Sequence, residues 1–130
     1  MIAVDTSALA AIALAEPERQ AFSECIARQG AIIGAPTLLE LSLVLTPRLR
    51  ADASIFIDGL LAVPGIRAVA FDLVQFRLAA EAFSRFGKGR HAAGLNFGDC
   101  LSYAVAQAHG LPLLFKGNDF IHTDVKSAMP

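Results

Sequence analysis

The chain has 130 residues, 55% of them hydrophobic and 18% charged, with 12 acidic side chains against 11 Lys and Arg for a formal net charge of -1. A chain of this length buries on the order of two-thirds of its unfolded surface, so it is expected to fold as one domain over residues 1–130 without disulfides or a structural metal. The balanced charge excludes a histone-like binder that holds nucleic acid by bulk attraction, and any such contact must be local.

Ile2 to Val4 is a short apolar strand, and DTSALAAIALA after it reads as a helix. A second helix is expected from Pro17, a favoured first helical position, to about Gln29, with Gly30 as its stop. Ala31 to Ala35 (AIIGA) is a buried strand, Pro36-Thr37 opens a helix through about Leu45, and Arg50 to Leu61 is a further helix closed by Pro64-Gly65. Arg67 to Phe71 forms the third strand, and Asp72 caps a helix from Leu73 to about Phe86. The polar loop GKGRHAAGLN leads into a helix from Phe97 to His109, ended by Gly110, and Leu113 to Phe115 is the fourth strand. The tail GNDFIHTDVKSAMP is expected to add a turn and a short edge strand near Thr123 to Val125. Short, wholly apolar strands alternating with helices require a parallel sheet covered on both faces, so the fold class is α/β, a three-layer α/β/α sandwich with a short central, mainly parallel sheet.

Cys25 and Cys100 form no CxxC pair and no Cys/His ligand cluster, and read as two buried thiols. The N-terminal stretch has no basic start and carries Asp5, which makes it a poor secretory signal. No apolar run approaches the roughly 18 residues of a membrane span. A cytoplasmic location without membrane contact is expected.

In a parallel α/β sheet every strand ends on the edge where ligands bind. Asp5 directly follows the first strand, Glu40 lies in the first turn of the helix after the second, and Asp119 stands just beyond the fourth. Asp99 reaches the same edge if its helix starts there, as a right-handed crossover demands. Each acid also has a bland role open to it. Thr37-x-x-Glu40 and Asn96-x-x-Asp99 fit capping boxes, Asp5 fits a helix cap, and Asp119 fits a turn beside Asn118. As a set they are harder to explain away. Two charges 4 Å apart repel by roughly 4 kcal/mol at a protein-like effective dielectric, and several such pairs rival the roughly 5–15 kcal/mol that holds a domain together. Convergent acids therefore need protons or a cation, and oxygen-only donors suit a hard ion such as Mg²⁺ or Mn²⁺. Such an ion polarises a phosphoryl oxygen and activates a water for in-line attack.

VDTSAL at Val4 to Leu9, Pro36-Thr37-Leu38-Leu39-Glu40, NFGDCLSYAVA at Asn96 to Ala106 and LLFKGNDFIHTDV at Leu113 to Val125 together resemble a PIN domain. More narrowly, the ordered set resembles the VapC ribonuclease toxins of prokaryotic type II toxin-antitoxin systems, over essentially the whole chain. The resemblance implies an acidic catalytic centre of Asp5, Glu40, Asp99 and Asp119, with Asp5 and Asp99 as the direct Mg²⁺ ligands. It implies for Ser7 a supporting hydrogen bond to that centre, helix capping being its other reading, and for Asp124 a structural role. Many relatives carry a second acid before the DF pair, where this chain has Gly117-Asn118. It further implies a homodimer and a VapB-like antitoxin whose C-terminal segment covers the acidic site.

RNA beside four carboxylates needs local positive charge. Arg85, Lys88, Arg90 and His91 lie on the loop before Asp99, and Lys116 is adjacent to the Asp119 turn, which makes Lys88, Arg90 and Lys116 the candidates for phosphate contact, a solvated loop being the alternative. Ile55 to Leu61 with Leu41 to Leu45 carries more aliphatic surface than one helix pair needs, either for the core or for a dimer or antitoxin face. The expected function is an Mg²⁺-dependent endoribonuclease toxin that cleaves RNA with metal-activated water. The competing class is a catalytically silent PIN-like module that binds RNA or protein. An aspartyl-phosphate phosphatase would need an acid where Ser7 stands, and a nucleotide-binding Rossmann domain would need GxGxxG after the first strand.

Overall fold

The computed structural model describes residues 1–129. Its sheet has four parallel strands, β1 (Ile2–Val4), β2 (Ala31–Gly34), β3 (Ile66–Val69) and β4 (Leu113–Leu114), in the order β3-β2-β1-β4. The register places Ile2 beside Ala31 and Val4 beside Leu114, so β1 is the middle of the molecule. Alternation of side chains along these strands splits the core into two layers. Ile2, Val4, Ile33 and Leu114 face one way and pack on α1 (Thr6–Ala13), α2 (Arg19–Gln29), α3 (Ala35–Leu45) and α4 (Ala53–Leu61) through Leu9, Phe22, Leu41 and Leu45. Ala3, Ile32 and Leu113 face the other way, onto α5 (Leu73–Phe86) and α6 (Phe97–His109), where Phe86, Cys100 and Tyr103 meet them. This is the expected three-layer α/β/α arrangement. Each fully buried Leu, Ile or Phe in these layers contributes about 1.5–3 kcal/mol. Both cysteines are buried and unpaired.

Local chemistry sets the helix ends. Asp72 accepts the backbone N–H of Gln75 at 2.9 Å and starts α5, as its position before the helix predicts. Asn96 and Asp99 form a reciprocal capping box on α6, and Gly110 closes that helix in the left-handed region with φ 63°. Three expectations shift. The second helix begins at Arg19 rather than Pro17, because residues Glu16 to Glu18 are used in a turn, with Arg19 N–H donating to Glu16 O at 3.0 Å. The fourth begins at Ala53 rather than Arg50, because Asp52 caps it through Ser54 N–H at 2.9 Å. The third is already under way at Ala35, so Thr37 and Glu40 make no capping box and the Glu40 carboxylate is free for another partner.

The tail departs furthest from expectation. Phe120–His122 is a short 3₁₀ turn, and the expected strand at Thr123 to Val125 is not formed. Pairing comes later: Leu113 donates to Lys126 O at 2.8 Å, Ala128 donates to Leu113 O at 2.9 Å, and Ser127 lies beside Leu113 in parallel register.

The strand order reverses direction at β1. The connection from β1 leads to β2 on one side, while β4 docks on the other, which opens a crevice at the carboxyl ends of β1 and β4. Asp5 follows the first of these strands and the Lys116 to Asp119 segment follows the second.

Candidate active site

Asp5 is 4% exposed at the end of β1 and serves as the N-cap of α1. One carboxylate oxygen, Oδ2, accepts the Ser7 N–H at 3.0 Å and the Ser7 hydroxyl at 2.6 Å. Its other oxygen, Oδ1, accepts the hydroxyl of Ser102, a buried residue of α6. A buried carboxylate is tolerated only when its oxygens are satisfied in this way. The helix cap and the Ser7 side-chain hydrogen bond, open alternatives in the sequence, are thus both made to the same oxygen of Asp5. Ser7 has a further bond, since its Oγ accepts the backbone N–H of Lys116 at 2.9 Å.

Asp99 sits in the first turn of α6 and also does two things. Its Oδ2 accepts the Asn96 N–H at 3.1 Å as half of the capping box. Burial pushes its carboxyl up to about 7, opposed by the Asn96 N–H and reinforced by the negative charges of Asp5 and Asp119. Asp5, Asp99 and Asp119 therefore share one electrostatic neighbourhood. Burial and the Asp99 charge also raise the Cys100 thiol.

Glu40 approaches from α3. It accepts the hydroxyl of Thr6, the residue after Asp5, and its carboxylate lies where a Cβ at Gly98, the residue before Asp99, would stand. Glu40 thus touches the sequence neighbours of Asp5 and Asp99, and glycine at 98 leaves its carboxylate room. Thr6, Gly98 and Ser102 were not singled out in the sequence. A signal existed for Ser102, which lies three residues after Asp99 and so on the same face of α6. Thr6 and Gly98 carry no such local mark.

Among the described residues no set of three His, Cys, Asp or Glu side chains is disposed to hold a metal ion by itself. A pair is nevertheless suited to one ion, because Mg²⁺ retains several waters and is commonly held by one or two carboxylates together with substrate phosphate. Asp5 and Asp99 fit that pattern: all their donors are oxygen, and the Asp5 charge adds to the burial that raises Asp99, a repulsion that a cation relieves.

The basic residues divide. Arg85 pairs with Asp124 at 3.4 Å and Glu81 at 3.8 Å, and Asp124 also accepts the Tyr103 hydroxyl at 2.8 Å, which ties the tail to α6. His91 packs edge-on against Phe86, and its Nδ1 accepts the Ala93 N–H at 3.0 Å. Lys88 and Arg90 are exposed and have no acidic partner among the described residues. Arg90 lies 5.4 Å over the Phe83 ring. Lys116, expected to face phosphate, instead directs its ammonium to Glu16 at 3.3 Å and Glu18 at 3.2 Å, and these carboxylates, Glu18 foremost, hold it above the ordinary lysine value.

Beside Glu40 opens an apolar groove of about 690 Å³ between α3, α5 and α6, lined by Pro36, Leu39, Leu43, Phe76, Phe83 and Phe97 among others. Phe97 is 80% exposed and Leu43 66%. The two aliphatic stretches divide between the readings open to them: Leu41 and Leu45 are buried and Ile57, Leu60 and Leu61 pack partly on the core, while Val44 and Ile55 are exposed and Leu43 joins residues of α5 and α6 in the groove.

No helix among the described residues is long and apolar enough to cross a membrane. The family model for the PIN domain matches residues 2–126. Ribonuclease VapC42 of Mycobacterium tuberculosis is 43% identical over 127 residues, covering 96% of this chain and 97% of that protein. The crystal structure of Mycobacterium tuberculosis VapC20, described as a Sarcin-Ricin loop cleaving toxin, superposes with a TM-score of 0.76 at 19% identity, covering 96% of both chains. A toxin-antitoxin complex from Klebsiella pneumoniae contains a chain that superposes with a TM-score of 0.68 at 14% identity, covering 95% of this chain and 93% of that one. The four motifs, the switch-point crevice with its acids and the full-length match to named ribonucleases agree, and the chain belongs to the PIN domain family and, within it, to the VapC ribonucleases.

Proposed function

We propose that this protein is the endoribonuclease toxin of a VapBC-type toxin-antitoxin pair, hydrolysing RNA phosphodiester bonds in the cytoplasm with Mg²⁺. The observation that supports the reading is the shared electrostatic neighbourhood of Asp5 and Asp99, with the exposed Asp119 close enough to influence Asp99, at the crevice between β1 and β4 in a chain alignable along its length with VapC ribonucleases. Ribonucleases of this family depend in general on a divalent metal ion, and here Asp5 and Asp99 are the residues to hold it. When bound, Mg²⁺ supplies a Lewis acid for the scissile phosphoryl group and lowers the pKa of a water ligand.

The chain's own residues do the rest. Ser7 and Ser102 grip the two oxygens of Asp5 and keep the carboxylate from rotating. Thr6 fixes Glu40, which with Asp119 orients the attacking water and receives its proton. Lys88 and Arg90, exposed and without acidic partners among the described residues, offset the charge of the RNA backbone. The apolar face of α3, α5 and α6 associates with a second copy of the chain, and a VapB-like antitoxin neutralises the toxin; the toxin-antitoxin complex among the structural neighbours supports an antitoxin partner.

Purified wild type, freed of antitoxin, is expected to cleave total RNA with Mg²⁺ and not with EDTA. Asp99→Asn, which keeps the shape but removes a charged ligand, is expected to cleave at least about a hundredfold more slowly. Growth arrest on expression should disappear with Asp5→Asn. A wild type that cleaves nothing, or an Asp99→Asn protein that cleaves equally well, would overturn the reading in favour of a silent binding module.

A further inference from the structure

Lys116 is joined to the acidic centre by one end and to a distant turn by the other. Its backbone N–H donates to Ser7 Oγ at 2.9 Å, and that hydroxyl donates to Asp5 Oδ2 at 2.6 Å. Its side chain crosses to the turn between α1 and α2 and divides its ammonium between Glu16 and Glu18. Glu18 Oε1 is enclosed and accepts no aligned hydrogen bond, so the ammonium is what compensates it. The turn is shaped at a cost, since Ala15 has φ 53°, a region that side chains other than glycine and asparagine avoid. On the other side of Lys116, Gly117 takes φ 98° and bends the chain toward Asp119. Partly exposed ion pairs add little to global stability. Their use here is in placement.

We infer that Lys116 is a positioning residue: clamped by Glu16 and Glu18, it sets the backbone that aims the Ser7 hydroxyl at Asp5 and delivers Asp119 to the centre. The clamp replaces phosphate contact as the role of Lys116, and it rests on the ribonuclease reading of the acidic centre. Neither partner of the ammonium belongs to the catalytic set. The ammonium of Lys116 links the acidic turn to the site, over a path of two hydrogen bonds from its backbone.

The test compares Lys116→Met, Glu16→Gln with Glu18→Gln, the triple variant and Lys116→Arg. Cleavage of a defined RNA in Mg²⁺ over a range of salt concentrations is followed alongside hydrogen exchange of the Lys116 amide in the metal-free protein. The clamp predicts that Lys116→Met and the Glu16/Glu18 double variant each lower kcat about tenfold, with KM and its salt dependence unchanged. The triple variant is then no worse than either, because all act through one contact, and Lys116→Arg stays near wild type. Exchange of the Lys116 amide accelerates by about tenfold in the double variant as its bond to Ser7 loosens. A double variant with wild-type kcat and a fully protected amide overturns the clamp. So does tighter RNA binding when Glu16 and Glu18 are neutralised, together with a raised KM and a shallower salt slope in Lys116→Met, because that pattern belongs to a phosphate contact. If wild type cleaves no RNA, the ribonuclease reading falls by itself, and the exchange data decide the clamp separately.

Discussion

The acidic crevice and the apolar groove meet at Glu40 and are built on opposite rules. In the crevice three carboxylates have named partners: Ser7 and Ser102 on the buried Asp5, Asn96 on Asp99, Thr6 on Glu40. In the groove, Leu39, Leu43, Phe76 and Phe97 present area without direction. A site that must move a proton or hold an ion depends on atoms placed to within a fraction of an ångström, whereas a surface that recruits a partner depends on how much apolar area it removes from water. Substitutions of similar size should accordingly damage activity in one region and association in the other.

The largest effect is expected from one methyl group. Gly98→Ala places a Cβ against the Glu40 carboxylate, which is the free end of a flexible side chain and gives way cheaply. Alanine also favours helix by up to about 1 kcal/mol over glycine, so thermal stability should hold or rise while kcat falls by about a hundredfold. Equal losses of stability and activity would place Gly98 among ordinary packing residues. Next comes the groove. Leu43→Arg with Phe76→Arg should shift a dimer to monomer in sedimentation, weakening association by about thirtyfold, with cleavage per chain changed only a few-fold. Wild type that sediments as a monomer at micromolar concentration would remove the dimer from the proposal.

The smallest effect is a pH dependence of the metal-free protein. The Asp99 carboxyl lies at about 7 in the folded chain, above its ordinary value of 3.8, so the folded state binds the extra proton between those limits. The stability it contributes is fully present below the unfolded value and is lost as pH rises through about 7. The melting temperature should fall by a few degrees from pH 6 to pH 8, and added Mg²⁺ should restore more of it at pH 8 than at pH 6. Asp99→Asn should flatten both trends, and a metal-free melting temperature that rises across this range would contradict the shared charge of the crevice.

How far this molecule was legible in its sequence depended on whether the causes were local. The start of α5 and both ends of α6 could be read because Asp72, Asn96 and Gly110 act within a turn of themselves. The acids could be placed on one edge because parallel strands all end there. Pro17 misled because Glu16 to Glu18 close a turn of their own before the helix, and the distant partner of their carboxylates, Lys116, is invisible to any window of sequence. Glu40 looked like half of a capping box until α3 was seen to start at Gly34-Ala35, and its true partners, Thr6 and Gly98, come from two other elements. The tail was misplaced for a related reason: strand register in a segment with two or three bonds is fixed by the neighbour that receives it.

That tail has a consequence for how the protein meets other chains. Residues Lys126 to Ala128 take up the N–H and C=O of Leu113 and so cover part of the edge of β4. At the opposite edge, on β3, Arg67 and Ala68 are exposed. An arginine on a border strand discourages edge-to-edge stacking. A foreign peptide seeking to join by strand addition, or a misfolded copy seeding a fibril, meets a one-residue bridge at one edge and a charged side chain at the other.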